Sequence, residues 1–213
     1  PDAHELYRAL ESLDLLAEKP PLWWPRYGTF EVVVGAVLTQ NSQWTRVEQT
    51  LHNLREANLL SPAALANIDL PALMELIRPS GLFKNKSKVL KTLSEALLEA
   101  FGDFGTFRSE VTRDWLLSQK GIGPESADSI LCYACGRGAM VVDAYTARLL
   151  GAFGYEFESY DVLQSWCVEG LEGHFGEAEY PELYARFHGM IVEYVKRHKK
   201  GRSVDTAPLA ALL

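Results

Sequence analysis

The chain has 213 residues, 21 Lys and Arg against 28 Asp and Glu for a net charge of −7, and an apolar fraction of 47% with 16 Gly and 10 Pro. That length buries a sizeable core in one or two domains, and the composition excludes a disulfide-stapled mini-protein, a disordered chain and a low-complexity repeat. No stretch approaches the roughly eighteen uninterrupted apolar residues of a membrane span, and Pro1 to Glu11 carries charges where a signal peptide has its apolar core, so no membrane and a cytoplasmic address are expected. Cys132, Cys135 and Cys167 are odd in number and cannot form a disulfide framework.

In chain order, Leu6, Leu10, Leu13 and Leu16 form a helical stripe predicted over Ala3 to Ala17, ended by Pro20, Pro21 and Pro25. Phe30 to Gln40 is apolar on nearly every face and reads as a buried helix. Helices follow over Thr45 to Ala57, Pro62 to Ala66, Pro71 to Ile77 and Asn85 to Ala100, with Ser-Pro, Leu-Pro and Asn start signals. Val111 to Gln119 and Pro124 to Cys135 come next, joined by Lys120-Gly-Ile-Gly123. Asp143 then stands where it would cap a helix to Leu150, and Tyr160 to Leu171 and Tyr184 to Lys199 complete the set. No alternating strand run stands out, so the expected class is all-α.

The negative charge argues against a nucleic-acid partner, since phosphate is bound by Lys and Arg. Its distribution weakens the argument. Of the 28 acids, eight lie between Tyr155 and Glu182 with no Lys or Arg among them, so the other 20 stand against 21 bases. Lys84, Lys86, Lys88 and Lys91 form one basic cluster, and Lys196, Arg197, Lys199, Lys200 and Arg202 another. Both also read as solvated helix faces.

The stretch from Trp115 to Leu131 is the most informative. Two helices joined by Gly121-Ile122-Gly123, with Pro124 opening the second and small residues at Ser126 and Ala127, describe a tight helical hairpin. Its glycines admit close approach of a ligand, and helix N-terminal amides point at an anion such as phosphate. The same Gly-x-Gly is also an ordinary turn. Twenty residues on, Asp143 in Val141-Val-Asp-Ala-Tyr-Thr146 reads by itself as a helix cap.

Hairpin, apolar connector and Asp in this order resemble the helix-hairpin-helix (HhH-GPD) DNA glycosylases of the endonuclease III type, over about residues 28 to 200. Within that superfamily the motifs resemble the bacterial 3-methyladenine DNA glycosylase III branch. They are Trp23-Trp24-Pro25, Gly35-Ala-Val-Leu-Thr-Gln-Asn41, Pro79-Ser-Gly-Leu82, Gln119 to Gly123 with Glu125-Ser-Ala127, and Leu183-Tyr-Ala-Arg-Phe-His-Gly189.

The resemblance implies a two-lobed helical fold with the active-site cleft between the lobes: residues 30–142, holding the hairpin at about 111–135, and residues 1–29 with 143–213. It implies double-stranded DNA with a damaged base as partner, a monomeric protein, and a bacterial, nucleoid-associated setting. The hairpin (Lys120, Gly121, Gly123, Glu125, Ser126) would grip the DNA backbone, with a monovalent cation at the carbonyls of Lys120 and Ile122, while the target nucleotide is flipped out. Asp143 would stabilise positive charge on the sugar and orient the attacking water. Gln40 would fill the hole left by the base and Leu82 would wedge the opposite strand, with Lys84, Lys86 and Lys88 at the backbone. Trp23, Trp24, Pro25 and Trp44 would form the base pocket, stacking on a cationic alkylpurine. Trp44 is preferred, as it follows Gln40 by one helical turn.

Two absences refine the expectation. Bifunctional relatives carry a Lys nucleophile two residues after the second hairpin glycine; here that residue is Glu125, and no Lys occurs between Lys120 and Lys196. The expected enzyme is monofunctional, without AP lyase activity. Many relatives also hold an iron-sulfur cluster on four C-terminal cysteines, but the three cysteines here lie upstream of the basic tail and read as core, so no cofactor is expected. The sequence departs from the branch at Met190, where a lysine lies in the pocket, and His188 reads as helix packing. A mismatch or oxidised-pyrimidine glycosylase, or a silent helix-hairpin-helix DNA-binding module, are the competing readings.

Overall fold

The computed structural model describes residues 1–213. The chain is built of helices α1 (Ala3–Glu11), α2 (Phe30–Leu38), α3 (Trp44–Glu56), α4 (Pro62–Asn67), α5 (Leu70–Ile77), α6 (Phe83–Phe101), α7 (Phe104–Glu110), α8 (Arg113–Ser118), α9 (Pro124–Ser129), α10 (Ala144–Ala152), α11 (Tyr160–Leu171), α12 (Tyr180–Arg197) and α13 (Ala207–Ala210). A two-residue antiparallel hairpin pairs β1 (Lys199–Lys200) with β2 (Ser203–Val204). No helix is long and apolar enough to cross a membrane.

Side-chain caps set many of the helix starts. Asp2 and Glu5 form a capping box on α1; Ser61, Asp103, Thr112 and Ser159 accept from the backbone amide three residues on. Prolines occupy the first turns of α4, α5, α9 and α12, where a missing N–H costs nothing.

The chain divides into two compact units, one of residues 1–25 with 136–213 and one of residues 26–135. In the first, α1, α10, α11 and α12 enclose a core that includes Leu6, Leu10, Leu149, Cys167, Phe187 and Tyr194. In the second, α2 is buried along all nine residues and is packed by α3, α6, α9 and the turn that follows α9. Its one acid, Glu31, is paired with Arg55 and Arg26.

Several boundaries depart from expectation. The first helix stops at Glu11 because Ser12 bonds back to the Ala9 carbonyl and Asp14 turns left-handed (φ 52°); Leu15 and Leu16 still reach the core from turns. The expected helix Pro124 to Cys135 is α-helical only to Ser129 and continues as a π turn over Ile130–Ala134. The last long helix begins four residues early, at Tyr180, with Pro181 in its first turn. Helix α7, the β hairpin and α13 have no counterpart in the sequence reading.

Candidate active site and nucleic-acid interface

In the first unit, Asp143 is the N-cap of α10. Its Oδ1 accepts from the Thr146 amide (3.0 Å) and hydroxyl (3.2 Å), and the Thr146 hydroxyl accepts in turn from the Asp143 amide. The other oxygen, Oδ2, lies 2.8 Å from Nε2 of His188 on α12. Both side chains are sequestered, at 11% and 4% exposure. Burial alone would raise the Asp143 carboxyl; the charge and hydrogen bond of His188, with the two bonds from Thr146, outweigh it and hold the group below the usual carboxylate range. Asp143 is therefore a largely buried but ionised carboxylate. Its charge reaches Tyr145 and Cys167, both pushed up first by burial and then by Asp143, Cys167 to about 12.

Trp23 completes this cluster. Its indole meets the His188 ring edge-on, with centroids 5.1 Å apart at 82°, and its Nε1–H donates to Glu193 (3.1 Å). Trp23 has φ 69°, a backbone region an L residue leaves unless its surroundings hold it there. Trp24 stands at right angles to Trp23 and is more deeply buried, while Pro25 is exposed. Met190, two residues beyond His188, is buried in the core of this unit.

In the second unit, the hairpin between α8 and α9 is clamped by a two-point ion pair from Arg113 to the buried Asp128 (2.9 and 3.1 Å). Gly121 has φ 85°, and a Cβ there would come within 2.4 Å of Val89 on α6, so glycine is required both by conformation and by packing. Gly123 has an ordinary φ of −94° and faces open space. Gln40 reaches the same turn: its amide donates to the Gly121 carbonyl (3.1 Å) and the Ser126 hydroxyl (2.8 Å). Lys120 and Glu125 are exposed.

Leu82 caps α6 in a left-handed conformation (φ 45°, ψ 33°) and is 56% exposed. Such backbone costs a non-glycine residue about 1–2 kcal/mol, and nothing in the core is gained in return. The basic cluster beside it divides. Lys84 and Lys88 are exposed, but Lys86 is 2% exposed and donates to the carbonyls of Leu38 (2.8 Å) and Ser80 (2.9 Å), so it closes the end of α2 and is withdrawn from any DNA backbone. Burial pushes its ammonium down. Lys91 likewise donates to the carbonyls of Ala66 and Ile68 at the C-terminal end of α4.

The relation expected between Gln40 and Trp44 is also corrected. Helix α2 ends at Leu38, Asn41 turns left-handed (φ 51°), and Trp44 opens α3, so the two are not one turn apart on a single helix.

A model of the HhH-GPD superfamily of base excision DNA repair proteins matches residues 34–159. The chain belongs to that superfamily. It is similar to a solved 3-methyladenine DNA glycosylase of Helicobacter pylori, MagIII bound to 1,N6-ethenoadenine, with 42% identity and a TM-score of 0.89 over 94% of this chain and all of that one. It is 36% identical over 195 residues to a protein of Methanocaldococcus jannaschii assigned provisionally as a DNA repair glycosylase, covering 88% of this chain and 86% of that protein. A non-covalent endonuclease III–DNA complex has the same fold, with a TM-score of 0.75 at 21% identity over all of this chain and 95% of that one.

In this HhH-GPD protein, therefore, Asp143, Trp23 and Trp24 are gathered in one unit, and Gln40, Gly121 and Ser126 in the other, together with Leu82, Lys84 and Trp44. The three cysteines are buried, Cys167 in the first unit and Cys132 and Cys135 in the second, and no three His, Cys, Asp or Glu side chains are grouped as metal ligands. His188, buried against Asp143, is the site residue whose role the local sequence conceals. Tyr184, His188, Ile191 and Val195 share one face of α12, which announces that His188 points inward, but its partner lies 45 residues away.

Proposed function

We propose that this DNA glycosylase of base excision repair is monofunctional and releases alkylated purines, 3-methyladenine foremost, by hydrolysing the N-glycosidic bond. The observation that carries the chemistry is Asp143, a largely buried carboxylate held ionised beside His188, whose ring meets Trp23. As the bond to the base breaks, its electron pair leaves with the base and positive charge develops on the deoxyribose. A fixed anion there is worth about 10²–10³ in rate. A water then adds to the sugar, oriented by the same carboxylate and giving up one proton to solvent, and an intact abasic site remains. A purine alkylated at N3 already carries a positive charge and departs as a neutral base, so it needs little general-acid help. Trp23 and Trp24, with Pro25, are the candidate walls for the cationic base. The likeness to the Helicobacter enzyme supports this substrate class.

The side chains on offer support monofunctionality. Glu125 has no amine with which to attack the sugar, and no Lys lies between Lys120 and Lys196. On the DNA side, the open face at Gly123 and the exposed Lys120, Lys84 and Leu82 are the candidate contacts, with Gln40 free to enter the duplex once it releases Gly121 and Ser126. The carbonyls of Lys120 and Ile122 are neutral oxygen donors suited to a monovalent cation, which would present positive charge to a phosphate. No redox or metal cofactor is required by this scheme.

The test is base release from a duplex carrying methylated purines, with wild type beside Asp143→Asn and an alkali-treated parallel sample. Free 3-methyladenine from wild type alone, with strand breaks only after alkali, supports the reading. DNA binding without release of any methylated base returns the choice to a mismatch or oxidised-base enzyme or to a silent binding module.

A further inference from the structure

The chemistry above uses Asp143 and an aromatic pocket and leaves unexplained the buried imidazole between them. An N-cap requires one carboxylate oxygen, and Oδ1 supplies it through Thr146. The second oxygen of an ordinary cap is left to water; here Oδ2 is taken by Nε2 of His188 at 2.8 Å. An ionised carboxylate has no proton to give, so the imidazole N–H is the donor. The same ring abuts Trp23. Its neighbour Gly189 leaves room for the indole, and Glu193, one turn further along α12, accepts the indole N–H.

We infer that His188 is a positioning residue for the glycosylase reaction: through Nε2 it fixes the free oxygen of Asp143, and through its ring edge it backs Trp23, so that one side chain of α12 holds carboxylate and pocket wall in register. The inference rests on Asp143 being the reacting carboxylate. Helix α12 presents His188, α10 presents Tyr145 and Thr146, and α11 presents Cys167. Tyr145 and Cys167 are both pushed upward and stay neutral through the acidic range, which leaves His188 as the cationic or donating partner. Without it, burial is opposed by Thr146 alone.

The experiment is a carbon-13 titration of the Asp143 carboxyl in the full chain, for wild type, His188→Gln and His188→Phe, alongside the pH profile of base release. Gln places its amide where Nε2 stood and keeps the donor; Phe keeps the ring and loses it. The expected result is an Asp143 midpoint raised by about one pH unit or more in the Phe variant and by less than half as much in the Gln variant, with the acid limb of kcat moving in step. Should the Phe variant fail to fold, His188→Asn, whose amide falls short of Oδ2, takes its place. An unmoved Asp143 midpoint in the Phe or Asn variant overturns the inference, whatever the substrate. A wild-type protein that releases no alkylated purine defeats the substrate reading instead, and the titration, which needs no substrate, still decides the pairing.

Discussion

The indole of Trp23 occupies the space over Gly189 on α12 so closely that a single added methyl would stand 2.5 Å from its Cγ and 2.8 Å from its Cβ. Trp23 is therefore seated by the absence of a side chain on one residue and by the carboxylate of Glu193 on another. Gly189→Ala should displace the indole. Overpacking of this kind costs about 1–3 kcal/mol, seen as a lowered Tm. On an alkylated duplex the same variant should show a raised KM with a smaller change in kcat if Trp23 is a wall of the proposed base pocket, since the Asp143 cap is left intact.

Asp143 has an observed role as a helix cap and a proposed one in the reaction, and substitution can separate them. Asn is as good a cap as Asp, so Asp143→Asn should keep the cap, give up near neutral pH only the stabilisation that the ionised carboxylate draws from His188, and lose about 10²-fold or more in base release. Asp143→Ala should lose the activity and, beyond what Asn gives up, about 1 kcal/mol of stability with the cap. Calorimetry beside the release assay separates the two.

The pH dependence of stability has a definite sign. The folded carboxyl of Asp143 sits below its unfolded value, so its ionised form stabilises the fold above the ordinary carboxylate range, and that stabilisation is lost as pH falls through the depressed folded value. Wild type should therefore lose stability on acidification below about pH 4 more steeply than Asp143→Asn, which has no proton to take up there. Thermal melts between pH 3 and 6 would show the two curves converging in acid.

The helical class, the hairpin and Asp143 at a helix start were all legible, because caps, prolines and helical periodicity are local signals. What was not legible was burial of a charge. Lys84, Lys86, Lys88 and Lys91 look alike in the sequence, yet Lys86 shares a face of α6 with Leu90, Leu93 and Leu97 and points inward with them. That spacing was available and outweighed by the charge. The His188–Asp143 pair joins residues on two helices and has no local signature at all. Helix α7 was concealed by Gly105 in its first turn, despite the Asp103 cap.

The same division makes a prediction for the basic cluster. Lys84→Ala should leave stability unchanged within about 0.5 kcal/mol and reduce the slope of log affinity against log salt by about one, as for one lost phosphate contact. Lys86→Ala should do the reverse, leaving the salt slope alone while orphaning the Leu38 and Ser80 carbonyls at a cost of about 2 kcal/mol. Binding titrations across a salt series, with denaturant melts, distinguish them. A changed salt slope in the Lys86 variant at full stability would return that residue to the DNA surface.

Leu82 offers the clearest opposition of stability and function. A leucine that is mostly exposed gains little from burial, and its left-handed backbone costs about 1–2 kcal/mol. Asn tolerates that conformation better and carries no apolar surface. Leu82→Asn should raise stability by about 0.5–1 kcal/mol and at the same time weaken duplex binding and slow base release from double-stranded DNA. Release from a single-stranded substrate, where no opposite strand has to be parted, should fall much less. The measurement is the ratio of duplex to single-strand rates in wild type and variant. An unchanged ratio with raised stability would mean that the strain at Leu82 serves something other than the opposite strand.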